Sequence, residues 1–343
     1  MAVRLGLTMG DPAGIGPEII LTAARDLAAR IAAGEFALLA VGTPRCFEET
    51  ARRLGIGADI VIGGDGIAWP RVPVVEAART DIAIEPGRLS AAAGRLAYAA
   101  IERAVALALA GEIDAIVTAP VSKEALHLAG HPFPGHTEIL AELTGSTGSC
   151  MMLVHERLRV SHVSTHVALA DVPARLTPER LRYVIDLTHQ ALCDLGFERP
   201  RIGVCALNPH AGEGGMFGRE DIDVIAPEVE SCRARGLDVT GPVPADTIYV
   251  KALAGQFDAV VAMYHDQGHI AVKTLGFVMD PNSGQMSALS GVNVTLGLPI
   301  VRTSVDHGTA FDIAGKGVAN PQSMIEAIEV AAQLVGARRT RNR

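Results

Sequence analysis

Three histidines stand where an α/β chain usually does its chemistry. His166 closes the run Val163-Ser164-Thr165-His166, His210 sits in Asn208-Pro209-His210-Ala211-Gly212-Glu213, and His265 follows Val260-Val261-Ala262-Met263-Tyr264. Each comes just after a short aliphatic run. Residues beyond the carboxyl ends of strands line the ligand crevice of an open α/β sheet. Three imidazoles there have the makings of an open divalent-metal site, able to act as a Lewis acid on a substrate oxygen. Asn208 and Asp266 lie close by in sequence, as groups that hold an imidazole in place usually do. On position alone, hydrogen-bonded structural histidines explain the pattern equally well. His127, His131, His155 and His162 fall on a helix, near a turn or within strands, and are expected to be structural or surface residues.

A second set of residues is basic and polar. Gly135-His136-Thr137-Glu138 falls at a predicted helix start, where His136, Thr137 and the first amides can grip a phosphate. Lys273, Asn293 and Arg302 lie among glycines and short strands. A buried Lys or Arg is costly unless an anion compensates it, and an ordinary ion pair is the simpler reading for any one of them. The stretch Met9-Gly10-Asp11-Pro12-Ala13-Gly14-Ile15-Gly16-Pro17-Glu18 is either a tight strand-to-helix turn or an anion-binding loop. It is not the dinucleotide GxGxxG, because the spacing differs and two prolines remove N–H donors. In Asp306-His307-Gly308-Thr309-Ala310-Phe311-Asp312-Ile313-Ala314-Gly315-Lys316-Gly317, glycines such as Gly308 and Gly315 flank a turn bearing Asp312. That layout can wrap a nucleotide or merely turn a corner.

The elements that must position these residues alternate regularly. Aliphatic runs at 5–8, 37–41, 115–118, 151–154, 160–164, 202–206, 259–263 and 299–302 are predicted strands. Segments 18–32, 91–110, 178–195, 221–235 and 321–334 carry helical periodicity. Pro17 and Thr177-Pro178-Glu179 are helix starts, and Gly196 and Gly236 are C-terminal caps. Such alternation predicts two α/β/α domains with a mostly parallel sheet. The expected division is 1–129 plus 303–343 for one domain, and 130–302 for the other. Residues 278–290 break the rhythm and are predicted to be a loop.

Bulk properties narrow the function classes. The 343 residues are 49% hydrophobic but only 4% aromatic, which suits Ala, Val, Leu and Ile cores. A net charge of −8 argues against nucleic acid as a partner. No apolar run approaches a membrane span, and the first residues lead directly into a strand, so a cytoplasmic protein without a signal peptide is expected. Five cysteines, an odd number with no CxxC pair, are expected to be reduced.

Taken together, these motifs closely resemble the 4-hydroxythreonine-4-phosphate dehydrogenase family of pyridoxal phosphate biosynthesis, with Pro244-Ala245-Asp246-Thr247 and Tyr264-His265-Asp266-Gln267-Gly268 among the matching strings. The opening loop and the His307 to Gly317 string are also similar to isocitrate and isopropylmalate dehydrogenases. That resemblance implies a fold of their kind, with an active site in the interdomain cleft and a nicotinamide cofactor (NAD or NADP) bound without a Rossmann motif. It puts cofactor contacts on Gly308, Asp312 and Gly315. It implies one divalent metal (zinc, cobalt or magnesium) on His166, His210 and His265, and substrate contacts on His136, Thr137, Lys273, Asn293 and Arg302. Asp246, Asp266 and Lys273 become the acid/base candidates. It further implies a homodimer in which His265 arrives from the neighbouring subunit. The implied reaction is oxidation of 4-phosphohydroxy-L-threonine at C3, then decarboxylation to 3-amino-2-oxopropyl phosphate.

Two departures matter. Residues 278–290 look inserted relative to the family's spacing between Lys273 and Asn293. The strings Glu124-Ala125-Leu126-His127-Leu128-Ala129-Gly130 and Gly268-His269-Ile270 look nearer to paralogues that oxidise 4-phospho-D-threonate or 4-phospho-D-erythronate. Those substrates carry a hydroxyl at C2 instead of the amine. An acyl- or phosphate-transferring enzyme of the phosphate acyltransferase kind is the rival from another class; it would not need three metal-ligating histidines.

Overall fold

The computed structural model describes residues 2–279 and 286–341 and divides the chain into two compact units. The first comprises Met1–Ser149 and Leu298–Gly336, the second Cys150–Gly297 and Ala337–Arg343.

In the first unit six strands lie side by side in the order Asp59–Ile62, Arg71–Glu76, Phe36–Gly42, Val3–Thr8, Ala115–Thr118 and Val301–Val305, all parallel. The central strands are aliphatic because helices shield both faces of such a sheet. Leu5, Leu7, Leu38, Ile116 and Val117 have no exposed surface. Register sets Thr8 beside Thr118, and Thr118 beside Ser304, so hydroxyls form a row at the carboxyl end.

Helices Lys123–Leu128 and His136–Thr144 belong to this unit. Leu126, Ile139 and Leu140 join Val41, Ile101 and Ile116 in one core. Each such side chain contributes about 1.5–3 kcal/mol by leaving water. That packing carries the division to Ser149/Cys150 instead of 129/130, and the return falls at Leu298 instead of 303. Sequence spacing shows where a chain turns, but not which core the next helix joins.

The second unit begins with antiparallel pairing. Val292–Leu296 runs against Cys150–His155, which runs against Leu158–His162. Ala259–Ala262, Arg201–Cys205 and Asp238–Val243 then continue in parallel. Arg338 returns the C-terminal segment to this unit through the buried carboxylate of Asp194, 2.6 Å away. Helix Pro178–Asp194 starts as expected, with Thr177 Oγ1 accepting from the Arg180 N–H at 3.2 Å.

The predicted loop over 278–290 is corrected in part. Phe277–Met279 and Met286–Leu289 form an antiparallel ribbon with a bulge at Val278/Met279, while residues 280–285 lie outside the described ones. Polar, turn-forming sequence hid the short strands on either side. All five cysteines are free, four of them buried. Among the described residues, no helix is long and apolar enough to cross a membrane.

Candidate active site

Parallel pairing brings the carboxyl ends of Leu158–His162, Ala259–Ala262 and Arg201–Cys205 together, and the three candidate ligands follow those ends. His265 is the first residue of helix His265–Gly276, which Tyr264 enters in extended conformation. Its Nδ1 donates to Asp266 Oδ1 at 2.7 Å. A carboxylate only accepts, so the proton is on Nδ1 and the Nε2 lone pair is left for a ligand. Gln267 ties the helix start to the sheet. Its Oε1 accepts from the Met263 N–H at 2.7 Å and its Nε2 donates to the Ala206 carbonyl at 2.8 Å.

His210 is presented differently. It lies in the turn Pro209–Gly215, where His210, Ala211, Gly212, Glu213 and Gly214 all have positive φ. Glu213, not Asn208, holds the imidazole: His210 Nδ1 donates to Glu213 Oε2 at 3.0 Å. Asn208 anchors the turn, its Nδ2 donating to Asp221 Oδ2 at 3.0 Å and Glu220 Oε2 at 2.8 Å. Buried Asp221 also accepts from the N–H groups of Leu207 and Asn208. Nothing in the sequence marked Asp221 or Glu220, because their role exists only once the turn closes on them.

His166 and His265 face one another with ring centroids 5.8 Å apart. Among the described residues, no group of three or more His, Cys, Asp or Glu side chains comes close enough to hold a metal ion. The donor chemistry fits a divalent ion, with two imidazoles held through Nδ1 by carboxylates, but one chain does not gather all three.

Behind His265 lie two further histidines. His269 stacks on His265 at 3.6 Å, and buried His162 meets His269 at 4.8 Å. Burial pushes His269 down to about 4 and His162 down to about 3. His131 stacks on Tyr98, and His155 shares a hydrogen bond with Ser290 Oγ, as structural residues do.

The expected substrate residues divide between the units. In the first, Arg302 is only 3% exposed and its Nη2 donates to Thr118 Oγ1 at 2.7 Å. Burial lowers its pKa to about 9, against the pull of Glu138. His136 is held well below its ordinary value by burial and then by the Arg302 charge, and its buried Nε2 has no hydrogen-bond partner. A neutral imidazole beside a buried guanidinium suits an anionic ligand, which would give the His136 Nε2 its missing partner. His136 and Thr137 open helix His136–Thr144, whose start has no side-chain cap. In the second unit, Lys273 Nζ lies 4.8 Å over the Phe277 ring and Asn293 Oδ1 is buried without a partner. Asp246 is exposed in the first turn of helix Ala245–Leu253.

The opening loop ties most of its donors to the rest of the protein. The N–H groups of Met9, Asp11, Ala13, Gly14 and Ile15 all go to protein acceptors, among them the carbonyls of Pro120 and Thr309. The glycine string is partly committed as well. The buried carboxylate of Glu18 accepts from the Ala319 N–H at 3.0 Å, and burial raises its pKa while the Ala319, Gly315 and Gly317 amides oppose the rise. Gly308 accepts from its neighbour His307, and Asp312 is exposed.

A mostly parallel α/β fold, with histidines beyond its strand ends and a buried Arg–His cluster, is the framework of a metabolic enzyme. The chain belongs to the pyridoxal phosphate biosynthetic protein PdxA family, whose model matches residues 35–331, and it is a dehydrogenase of that family. It is 61% identical over 334 residues to a putative D-threonate 4-phosphate dehydrogenase of Bradyrhizobium diazoefficiens, covering 96% of each chain. It is 46% identical to the D-threonate 4-phosphate dehydrogenase of Pectobacterium atrosepticum, covering 97% of this chain and all of the other. The crystal structure of a 4-hydroxythreonine-4-phosphate dehydrogenase from Klebsiella pneumoniae superposes with a TM-score of 0.82 at 43% identity, covering 98% of both chains.

Proposed function

We propose that this dehydrogenase oxidises 4-phospho-D-threonate at C3 with NAD or NADP as hydride acceptor. The observation that carries a phosphorylated acid is the buried Arg302–His136 cluster, whose uncapped helix start, guanidinium and unpartnered nitrogen suit a dianion. The 61% identity to a putative D-threonate 4-phosphate dehydrogenase supports the hydroxyl at C2 over the amine of 4-phosphohydroxy-L-threonine.

Arg302, His136 and Thr137 hold the phosphate, and Lys273 and Asn293 complete the substrate contacts. Fixing that remote end places C3 against the nicotinamide, so binding energy does the orienting. His166, His210 and His265 hold a divalent metal (zinc, cobalt or magnesium), which when bound supplies Lewis-acid polarisation of the C3 oxygen. Asp266 is engaged in orienting His265, which leaves Asp246 and Lys273 to take the hydroxyl proton. Gly308, Asp312 and Gly315 are the cofactor contacts. Oxidation at C3 produces a β-keto acid, and loss of carbon dioxide leaves a three-carbon hydroxyketone phosphate. The amine substrate would leave the corresponding aminoketone.

The functional unit is a homodimer that completes the metal site. Among the described residues no trio of ligands gathers, and exposed Met216, Phe217, Ile270 and Met279, with Phe217 edge-on to His210 at 6.3 Å, offer apolar surface suited to a second copy.

Reduction of NAD and NADP, measured side by side with the two substrates and with or without chelator, tests the reading. Turnover of 4-phospho-D-threonate in preference to the amine, abolished by chelator, is the expected result. Equal or greater turnover of the amine overturns the substrate, and indifference to chelator overturns the metal.

A further inference from the structure

The helix that begins at His265 carries a second imidazole one turn on. Residues four apart share a helix face, and the His269 ring stacks on that of His265 with centroids 3.6 Å apart and planes 13° from parallel. His269 Nδ1 also donates to the main-chain carbonyl of His265 at 3.0 Å. One side chain thus grips both the ring and the backbone of His265. His269 in turn meets His162, with centroids 4.8 Å apart. His162 has no room to retreat: it is wholly buried, and a Cβ placed on Gly268 would lie 2.3 Å from its Nε2. Glycine at 268 is what lets the helix settle onto that ring.

Two restraints are needed to aim an imidazole. The hydrogen bond to Asp266 at 2.7 Å fixes the tautomer and the position of Nδ1, but leaves the ring free to tilt about that contact. His265 stands partly open to solvent, so core packing does not set its plane. A flat ring at stacking distance does.

We propose that His269 is a positioning residue, which by stacking on His265 fixes the plane of that imidazole and so aims its Nε2 at the divalent metal. The inference rests on His265 being a metal ligand. A ring that merely filled space would alter thermal stability without altering how tightly the folded protein holds an ion.

Equilibrium dialysis of the purified full chain against cobalt(II) separates these roles. His269→Ala is expected to bind cobalt about tenfold more weakly, the usual scale for losing a group that orients a ligand. It should also need correspondingly more metal for half-maximal activity, with kcat recovered at saturation. His269→Phe keeps the flat face and is expected to stay within about threefold of the parent. Unchanged affinity in His269→Ala overturns the proposal, and so does a loss in His269→Phe as large as in His269→Ala. Should His269→Ala fail to fold, His269→Gln takes its place with the same expectation, since it keeps a donor but loses the stack. His265→Ala is the control. If it binds cobalt as the parent does, the ligand assignment and the proposal fall together; if it alone loses binding, only the positioning role falls.

Discussion

Asp11 and Glu18 explain, residue by residue, where the polar groups of the opening loop are spent. Asp11 is wholly buried; its Oδ1 accepts from the Ala13 N–H at 2.9 Å, and its Oδ2 has no partner. Burial pushes its pKa from 3.8 to about 6, with the Ala13 hydrogen bond opposing. The folded value lies above the unfolded one, so folding takes up a proton between them and stability falls as pH rises through that window. The full difference is worth about 3 kcal/mol. Asp11→Asn keeps the acceptor for Ala13 and cannot ionise. Urea unfolding of both proteins should therefore show the variant gaining about 3 kcal/mol on its parent between pH 3.5 and 7. A difference independent of pH would mean that Asp11 is not desolvated. Arg302 shows the same physics with the opposite sign of charge, burial lowering its pKa to about 9. The sequence exposed Arg302 and His136 as basic groups in polar company. It gave no sign of Thr118, which reaches Arg302 across 184 residues.

At the level of elements, the turn Pro209–Gly215 departs furthest from anything the sequence announces. Five successive residues have φ between 42° and 82°, and three of them, His210, Ala211 and Glu213, are not glycine. Left-handed conformation costs an L-residue about 1–2 kcal/mol. It persists only where the surroundings over-determine it, and Asp221 does so by binding the chain at Leu207 and Asn208. Ala211→Gly should then leave stability unchanged or raise it by up to about 1 kcal/mol. Ala97→Gly, in the interior of helix Ala91–Leu109, should cost about 1 kcal/mol. Chemical denaturation of the pair reads the contrast, and an equal cost at both sites would refute the left-handed turn. Aliphatic strands such as Val3–Thr8 and capped helices such as Pro178–Asp194 were legible because local pattern and tertiary role agree there. The edge strand Asp59–Ile62 and the ribbon Phe277–Met279 were not, since short, half-exposed strands carry little periodicity. The metal-type histidines were legible as strand-end residues. His269 was visible only as part of a motif, because stacking is settled by helix geometry and by the ring of His162 beneath it.

For the whole molecule, the question is which histidines a single subunit supplies. His166 and His265 of one chain lie 5.8 Å apart, yet no trio forms among the described residues. Composition and motif order place these residues at strand ends, but spacing does not say which subunit supplies each histidine. Mixed mutant dimers can locate it. If His210 and His265 of one site come from different subunits, His210→Ala and His265→Ala proteins, each inactive alone, form heterodimers with one intact site. Random exchange then restores about a quarter of the parental activity per subunit, because half the dimers are mixed and each has one working site. His166→Ala mixed with His265→Ala asks the same of the facing pair. Recovery there assigns His265 to the neighbour of His166, and its absence assigns both to one chain. Activity after mixing, with subunit exchange verified by mass spectrometry of differently tagged chains, is the measurement. If no pair recovers activity despite exchange, the site is not shared between subunits, and the three histidines must be brought together within one chain by a rearrangement on binding metal.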